Sequence, residues 1–133
     1  MFTYKTTVRL FDTDAAGLLF FGNHFRIIHA AYEAYLESKG LGMGDIIRGG
    51  RLLLPIIHAE ADYYEPMFVG DKLTVELTAE EPTTHSYSLN FALKNGEGRK
   101  VGAVRTVHVC LDNKTREKTP LPEKLREAIR ALG

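Results

Sequence analysis

A single cysteine, Cys110, stands in a chain of 133 residues, so no internal disulfide can form. Such usage fits a reducing compartment, and the expectation is a cytoplasmic protein. Charge of one sign is missing as well. Lys and Arg number 17, Asp and Glu number 17, and neither forms a long run. That excludes the basic face of a nucleic-acid-binding protein and the block of like charge that marks a disordered acidic tail. No apolar run reaches about 18 residues, the length a membrane helix needs. The opening "MFTYKTTVRL" has no signal-peptide core. Internal repeats and low-complexity linkers are absent too. What remains is expected to fold as one domain over residues 1–133, large enough to bury roughly 70% of the surface its unfolded chain exposes.

The patterning gives an order of elements. Residues 3 to 11 alternate, Val8 against Arg9 and Leu10 against Phe11, as a strand does. From Phe25 the apolar residues fall at helical spacing, through Ile28, Tyr32 and Tyr35 or Leu36. Asn23 is placed to cap this helix and Gly40 to stop it, which predicts a helix over about 24–39. Ala30, Ala31 and Ala34 are small enough to let another backbone lie close, so this helix is expected at the centre. "GLGMGDIIRGG", residues 40 to 50, reads as a loop with one helical turn at most. Four strand-like runs follow at 52–64, 71–80, 84–94 and 99–111, with Pro66 expected at a strand end. "KNGEGRK" reads as a hairpin whose Asn95-Gly96 pair suits a type I′ turn. The last stretch carries Leu121, Leu125, Ile129 and Leu132, the stripe of a short amphipathic helix over about 121–132. The class is α+β, an antiparallel sheet of five to six strands around one long helix. Such a sheet has open edges, and pairing between copies would close them, so a homo-oligomer is expected.

The chemistry concentrates in "RLFDTDAAGLLFFGNHFRIIHAAYEAYLESKG", residues 9 to 40. Two carboxylates sit directly before Leu18-Leu19-Phe20-Phe21, where an ionised group is costly unless something needs it. Turn chemistry explains either aspartate alone, since Asp readily accepts nearby backbone N–H groups. At a spacing of two, one can bond the turn while the other projects toward a pocket. Gly17 and Gly22 free the backbone between them, where N–H groups near the helix start can meet a carbonyl oxygen. A carboxylate and a carbonyl-polarising N–H a few residues apart are the minimal machinery of acyl transfer.

At this point "FDTDAAGLLFFGNHFRIIHAAYEAYL", followed by "LPIIHAEADYYEPMFVGDKLTVEL", resembles the hotdog-fold acyl-CoA thioesterases of the 4-hydroxybenzoyl-CoA thioesterase class. Within it the likeness is greatest to the 1,4-dihydroxy-2-naphthoyl-CoA thioesterases of quinone synthesis. It spans about residues 4 to 112, and D-x-D-x-x-G before the helix is its specific part. The resemblance implies a hotdog fold, with the second aspartate, Asp14, as the catalytic carboxylate and the first, Asp12, as structural. It further implies that the backbone N–H of Phe21 polarises the thioester carbonyl. Homodimers, often paired into homotetramers, with active sites at the dimer interface, are implied as well, as is an acyl-CoA partner. One branch of the family has histidine where this chain has Phe21, and Phe20-Phe21 suits the aromatic-acyl branch better. No metal or other cofactor is called for, because a thioester is already an activated acyl group. Direct attack by Asp14, or activation of a water by it, are both open.

Around that centre Gly17, Phe20, His24 and His58 are the expected substrate-binding positions. His58 is placed on the strand that approaches the partner's helix start. His24 and His29 are five apart, about 140° around a helix, and share no face for a metal. His85 and His108 can fall on neighbouring strands, but two histidines without a third ligand make no zinc site. Glu60 and Asp62 share a strand face with His58 and read as solvated carboxylates. Lys94, Arg99 and Lys100 near the hairpin are candidates for the CoA phosphates. Phe25, Tyr32, Tyr35 and Phe91 read as core. The rival class is a non-catalytic acyl-binding module on the same fold, which would have no use for a carboxylate beside a bound carbonyl. A second rival is a thioesterase for benzoyl or medium-chain acyl-CoAs.

Overall fold

A computed structural model describes all of residues 1–133. In chain order the elements are β1 (Phe2–Thr7), α1 (Asn23–Ser38), α2 (Met43–Gly49), β2 (Leu52–Leu53), β3 (Ile56–Tyr63), β4 (Lys72–Ala79), β5 (Ser86–Asn95), β6 (Lys100–Val109), β7 (Leu111–Asp112) and α3 (Glu123–Arg130). Five strands form one antiparallel sheet in the order β1-β4-β5-β6-β3, and β2 pairs separately with β7. The long helix α1 lies on one face of the large sheet, against β1, β4 and β6. This is the hotdog arrangement. None of its helices is long and apolar enough to cross a membrane.

Period decides what is buried. In α1 the residues turned inward are His24, Ile27, Ile28, Ala31, Tyr32, Tyr35 and Leu36, a stride of three and four. They meet Leu73, Val75 and Leu77 of β4 and Tyr87, Leu89, Phe91 and Leu93 of β5, a stride of two. Phe25, read as part of the stripe, is only half-buried, because the stripe is centred one residue further on. Leu125, Ala128 and Ile129 of α3 close one end of this core, where the Tyr35 hydroxyl donates to the Ala128 carbonyl. Burying each large aliphatic side chain contributes about 1.5–3 kcal/mol, so the helix is held by the sheet rather than by its own propensity.

Several boundaries differ from the sequence reading, each for a local reason. The first strand ends at Thr7, and Leu10–Asp12 form a 3-10 turn because the Asp12 carboxylate takes the Arg9 N–H at 3.0 Å. The run 52–64 is broken at Pro55, which has no N–H for a ladder. Residues 43–49 form two turns of helix rather than a loop with one. Asn23 does not cap α1; its side-chain amide donates to the Asp12 carbonyl at 2.8 Å, and Gly22 occupies the cap position. The other end behaves as expected. Gly40 takes φ +71°, and Leu41 N–H and Gly40 N–H close onto Leu36 and Glu37, the Schellman pattern. The β5–β6 turn is not a type I′ pair: Asn95 N–H donates to the Arg99 carbonyl at 2.9 Å across Gly96, Glu97 and Gly98. Gly98 has φ +81°, and the Asn95 side chain accepts the N–H groups of Glu97 and Arg99. Its register places Tyr87 opposite His108 and Phe91 opposite Val104.

The sheet's two edges are unlike. β1 is half-covered on its inner face, where Phe2 packs edge-on against Tyr35. Every residue of β3 except Ala61 is exposed.

Candidate active site

The loop from β1 into α1 carries both aspartates and treats them differently. Asp12 is 1% exposed, ion-paired with Arg26, and accepts the Arg9 N–H. Its carbonyl accepts the Phe20 N–H at 3.0 Å in addition to the Asn23 amide. Asp12 therefore ties the loop to both ends of the turn that leads into α1. Asp14 is exposed. Its Oδ1 accepts the N–H groups of Ala16 at 2.8 Å and Leu18 at 3.2 Å, and its Oδ2 takes no hydrogen bond within the chain. The backbone beneath it is closed by Asp14 N–H to the Leu18 carbonyl at 2.8 Å. Gly17 makes the reversal at φ +78°, a conformation that suits glycine. One carboxylate oxygen orients the group, and the other faces outward.

Past this loop, Leu19 is buried and its N–H donates to the Met67 carbonyl at 2.7 Å. Phe20 and Phe21 follow with their rings exposed and 4.6 Å apart. Neither the Phe21 N–H nor the Gly22 N–H donates to any group in the chain. Both sit immediately before α1, where the helix leaves its first N–H groups unpaired and its dipole favours negative charge. The carbonyl of Phe21 is held from two sides. It accepts the Tyr63 hydroxyl at 3.0 Å and Nδ1–H of His24 at 3.1 Å. A carbonyl can only accept, so the His24 ring proton lies on Nδ1. His24 is buried, and burial lowers its pKa from the ordinary value, with the Phe21 and Phe20 carbonyls opposing the shift. The imidazole is neutral at neutral pH. A cavity of about 270 Å³ opens here between Leu19, Phe21, His24, Tyr63, Tyr64 and Met67. Within one chain Asp14 lies outside its lining.

Gly17, Phe20, Phe21 and His24 thus stand on the same stretch of chain as Asp14, between its loop and the first turn of α1. Within one chain His58 does not join them. It lies on the outer face of the sheet, 3.8 Å from Glu60, on the side away from α1. Tyr63 takes the helix-facing position instead. The alternation carried that signal: Ala59 and Ala61 are small and apolar, Glu60 and Asp62 are charged, and Tyr63 has the parity of the alanines. Two of the three candidate phosphate contacts are already paired within the chain, Lys94 with Glu76 at 2.8 Å and Arg99 with Glu65. Lys100 lies 6.0 Å from the Tyr64 ring centroid. His29 faces Glu33, and His108 stacks on Tyr87. No three His, Cys, Asp or Glu side chains cluster as metal ligands do.

Comparison with known proteins adds to this geometry. The thioesterase-like superfamily matches residues 8–129. A 1,4-dihydroxy-2-naphthoyl-CoA hydrolase from Synechocystis sp. is 36% identical over 129 residues, covering 96% of this chain and 94% of that protein. The protein of the same name from Nostoc punctiforme is 38% identical over 124 residues, covering 93% of this chain and 83% of that one. Among solved structures, a 1,4-dihydroxy-2-naphthoyl-CoA thioesterase from Synechocystis superposes with a TM-score of 0.93 at 36% identity, over 98% of this chain and 96% of the other.

Proposed function

The chain belongs to the thioesterase-like superfamily, and from that premise we propose that it hydrolyses acyl-CoA thioesters to a free acid and coenzyme A. Asp14 is the catalytic carboxylate, and the Phe21 N–H is the donor that polarises the thioester carbonyl. One observation carries the reading. Asp14 is fixed through Oδ1 alone, leaving Oδ2 free, on the loop that leads to two unpaired N–H groups at a helix start. A carboxylate serving only its turn has no need of that second feature.

The steps follow from those groups. Charge develops on the thioester oxygen as the carbonyl carbon becomes tetrahedral, and N–H donors fixed beforehand stabilise it without reorganising. The thiolate of CoA leaves. Asp14 either attacks the carbon itself, giving an anhydride that water then opens to restore the Asp14 carboxylate, or takes the proton of a water whose oxygen forms the new bond to carbon. The acyl group is aromatic in this reading, with 1,4-dihydroxy-2-naphthoyl-CoA as the favoured substrate. Its supports are the names of the relatives and the rings of Phe20, Phe21, Tyr63 and Tyr64 around the site.

The working form is a homodimer, or two such dimers in a homotetramer, with the active site at the subunit interface. The bare edge of β3, with Ile57 62% exposed, favours it. So does the outward aim of Asp14, which leaves its pocket to be completed by another chain. A cytoplasmic location fits the lone, buried, unpaired Cys110.

The test is hydrolysis of a panel of aromatic and aliphatic acyl-CoAs by the purified protein and by Asp14→Asn. Turnover confined to aromatic acyl groups and abolished by the substitution is expected. Uniform inactivity of the wild-type protein favours the acyl-binding module, and near-normal turnover by Asp14→Asn removes the mechanism.

A further inference from the structure

The Phe21 carbonyl lies outside the hydrogen-bond ladder of α1. The nearest candidate donor in the helix, Phe25 N–H, goes to Gly22 at 3.3 Å instead. A peptide at a glycine-containing turn, with a free carbonyl on one side and a free N–H on the other, can rotate about its flanking bonds and exchange the two directions. Here the plane is held. The Tyr63 hydroxyl reaches the Phe21 carbonyl from β3 across 42 positions of sequence, and His24 Nδ1–H reaches it from the first turn of α1. The two rings meet edge to face, centroids 4.6 Å apart, so each also fixes the other.

The slot for His24 is built from the sheet. Gly102 of β6 pairs opposite Tyr63 and is buried, and a Cβ there would lie 3.3 Å from the Asp62 carbonyl and 3.7 Å from Cδ2 of His24. Alanine at this position would therefore crowd the Asp62 carbonyl and touch the ring at ordinary van der Waals distance. The imidazole is almost wholly enclosed, and in the neutral state its single N–H is spent on this carbonyl.

We propose that Tyr63 and His24 are positioning residues for thioester hydrolysis: by clamping the Phe21–Gly22 peptide through its carbonyl they fix the direction of the Gly22 N–H, so that it stands beside the Phe21 N–H, one peptide upstream, at the thioester oxygen. The proposal rests on the assignment of Phe21 N–H as the carbonyl-polarising group. It adds that β3, the strand left open at the sheet edge, sets through one hydroxyl the direction of a second donor next to it, the Gly22 N–H. Neither side chain need touch the substrate for this.

The effect belongs in kcat. A donor that drifts binds the ground-state ester almost as well, but it loses the oxyanion. Tyr63→Phe removes only the hydroxyl and is expected to lower kcat about 5- to 20-fold with KM within about twofold. His24→Phe keeps the volume without the donor and is expected to lower kcat at least as much. His24→Asn returns an N–H near the position of Nδ1 and should recover most of the loss. All are measured on the acyl-CoA that the wild-type protein turns over fastest, alongside Asp14→Asn and thermal melts. If His24→Phe fails to fold, Tyr63→Phe at its half-exposed site still decides.

A Tyr63→Phe enzyme with unchanged kcat overturns the clamp, provided Asp14→Asn is dead. So does a Tyr63→Phe effect confined to KM, which would make the hydroxyl a substrate contact. Activity surviving in Asp14→Asn instead overturns the hydrolase assignment beneath it, so the two failures are told apart.

Discussion

Asp12 and Asp14 place the same carboxylate two residues apart, in the inner and outer halves of one loop. In the inner half every polar group is answered from within: Arg26 and the Arg9 N–H take the Asp12 side chain, and Phe20 and Asn23 take its carbonyl. In the outer half the bonds orient Asp14 and stop there, leaving one oxygen and, further on, two N–H groups without partners. The same contrast recurs deeper in the molecule. Tyr32 and Tyr87 pack ring to ring under the sheet, their hydroxyls bonded to each other. Saturated polar groups hold a fold together, whereas groups held but unspent are available for chemistry. What separates them is the number of partners, not the residue type.

Substitutions can break this contrast. The largest effect belongs to the outer carboxylate: Asp14→Asn should lower kcat by about a thousandfold while the melting temperature stays near that of the wild type. A large drop in melting temperature would instead place Asp14 among the structural groups.

Next comes the buried histidine. Burial first, and the neighbouring charge of His29 second, lower the His108 pKa from 6.5 to about 4, and its Nδ1 has no partner. Since the folded value lies below the unfolded one, the unfolded chain binds the proton more readily between them. Stability is then full above about pH 6.5, falls as the pH drops toward 4, and levels below that, a loss of about 3 kcal/mol at most. Chemical denaturation along that range measures it, and His108→Leu should flatten the curve.

Asp12→Ala strips a buried partner from Arg26 and is expected to cost about 2 kcal/mol in urea unfolding, less than a fully enclosed pair because Arg26 is half-exposed. The smallest effect is at the hinge of the outer half. Gly17→Ala meets nothing nearer than Val69 Cγ1 at 4.0 Å, so only its left-handed backbone opposes it, by about 1 kcal/mol. A melt shift larger than that of Asp12→Ala would mean the outer half is also built for stability.

Much of the fold was legible before any coordinates. The stride of two in Tyr87, Leu89, Phe91 and Leu93 and the stride of three and four through Ile28, Tyr32 and Tyr35 are properties of neighbouring residues, and they set the elements and their buried faces. The candidate site was legible only along the chain. Asp14, Gly17, Phe20, Phe21 and His24 lie within 11 consecutive positions, and the motif alone gathers them. His58 and Tyr63 are only five apart, yet the choice between them depended on which face of β3 meets α1, a matter of strand parity once β3 is docked against β6. The short β2 was likewise settled by its pairing partner β7, far away in sequence.

The sequence by itself determined a central amphipathic helix, an alternating antiparallel sheet and a D-x-D turn at the helix start, because periodicity and turn chemistry act over a few residues. Only the tertiary structure decided which aspartate is spent and which is free, that the Phe21 carbonyl is gripped from β3, and which sheet edge stays open. Those outcomes depend on burial and on hydrogen-bond partners that folding alone brings within 3 Å or so of each other.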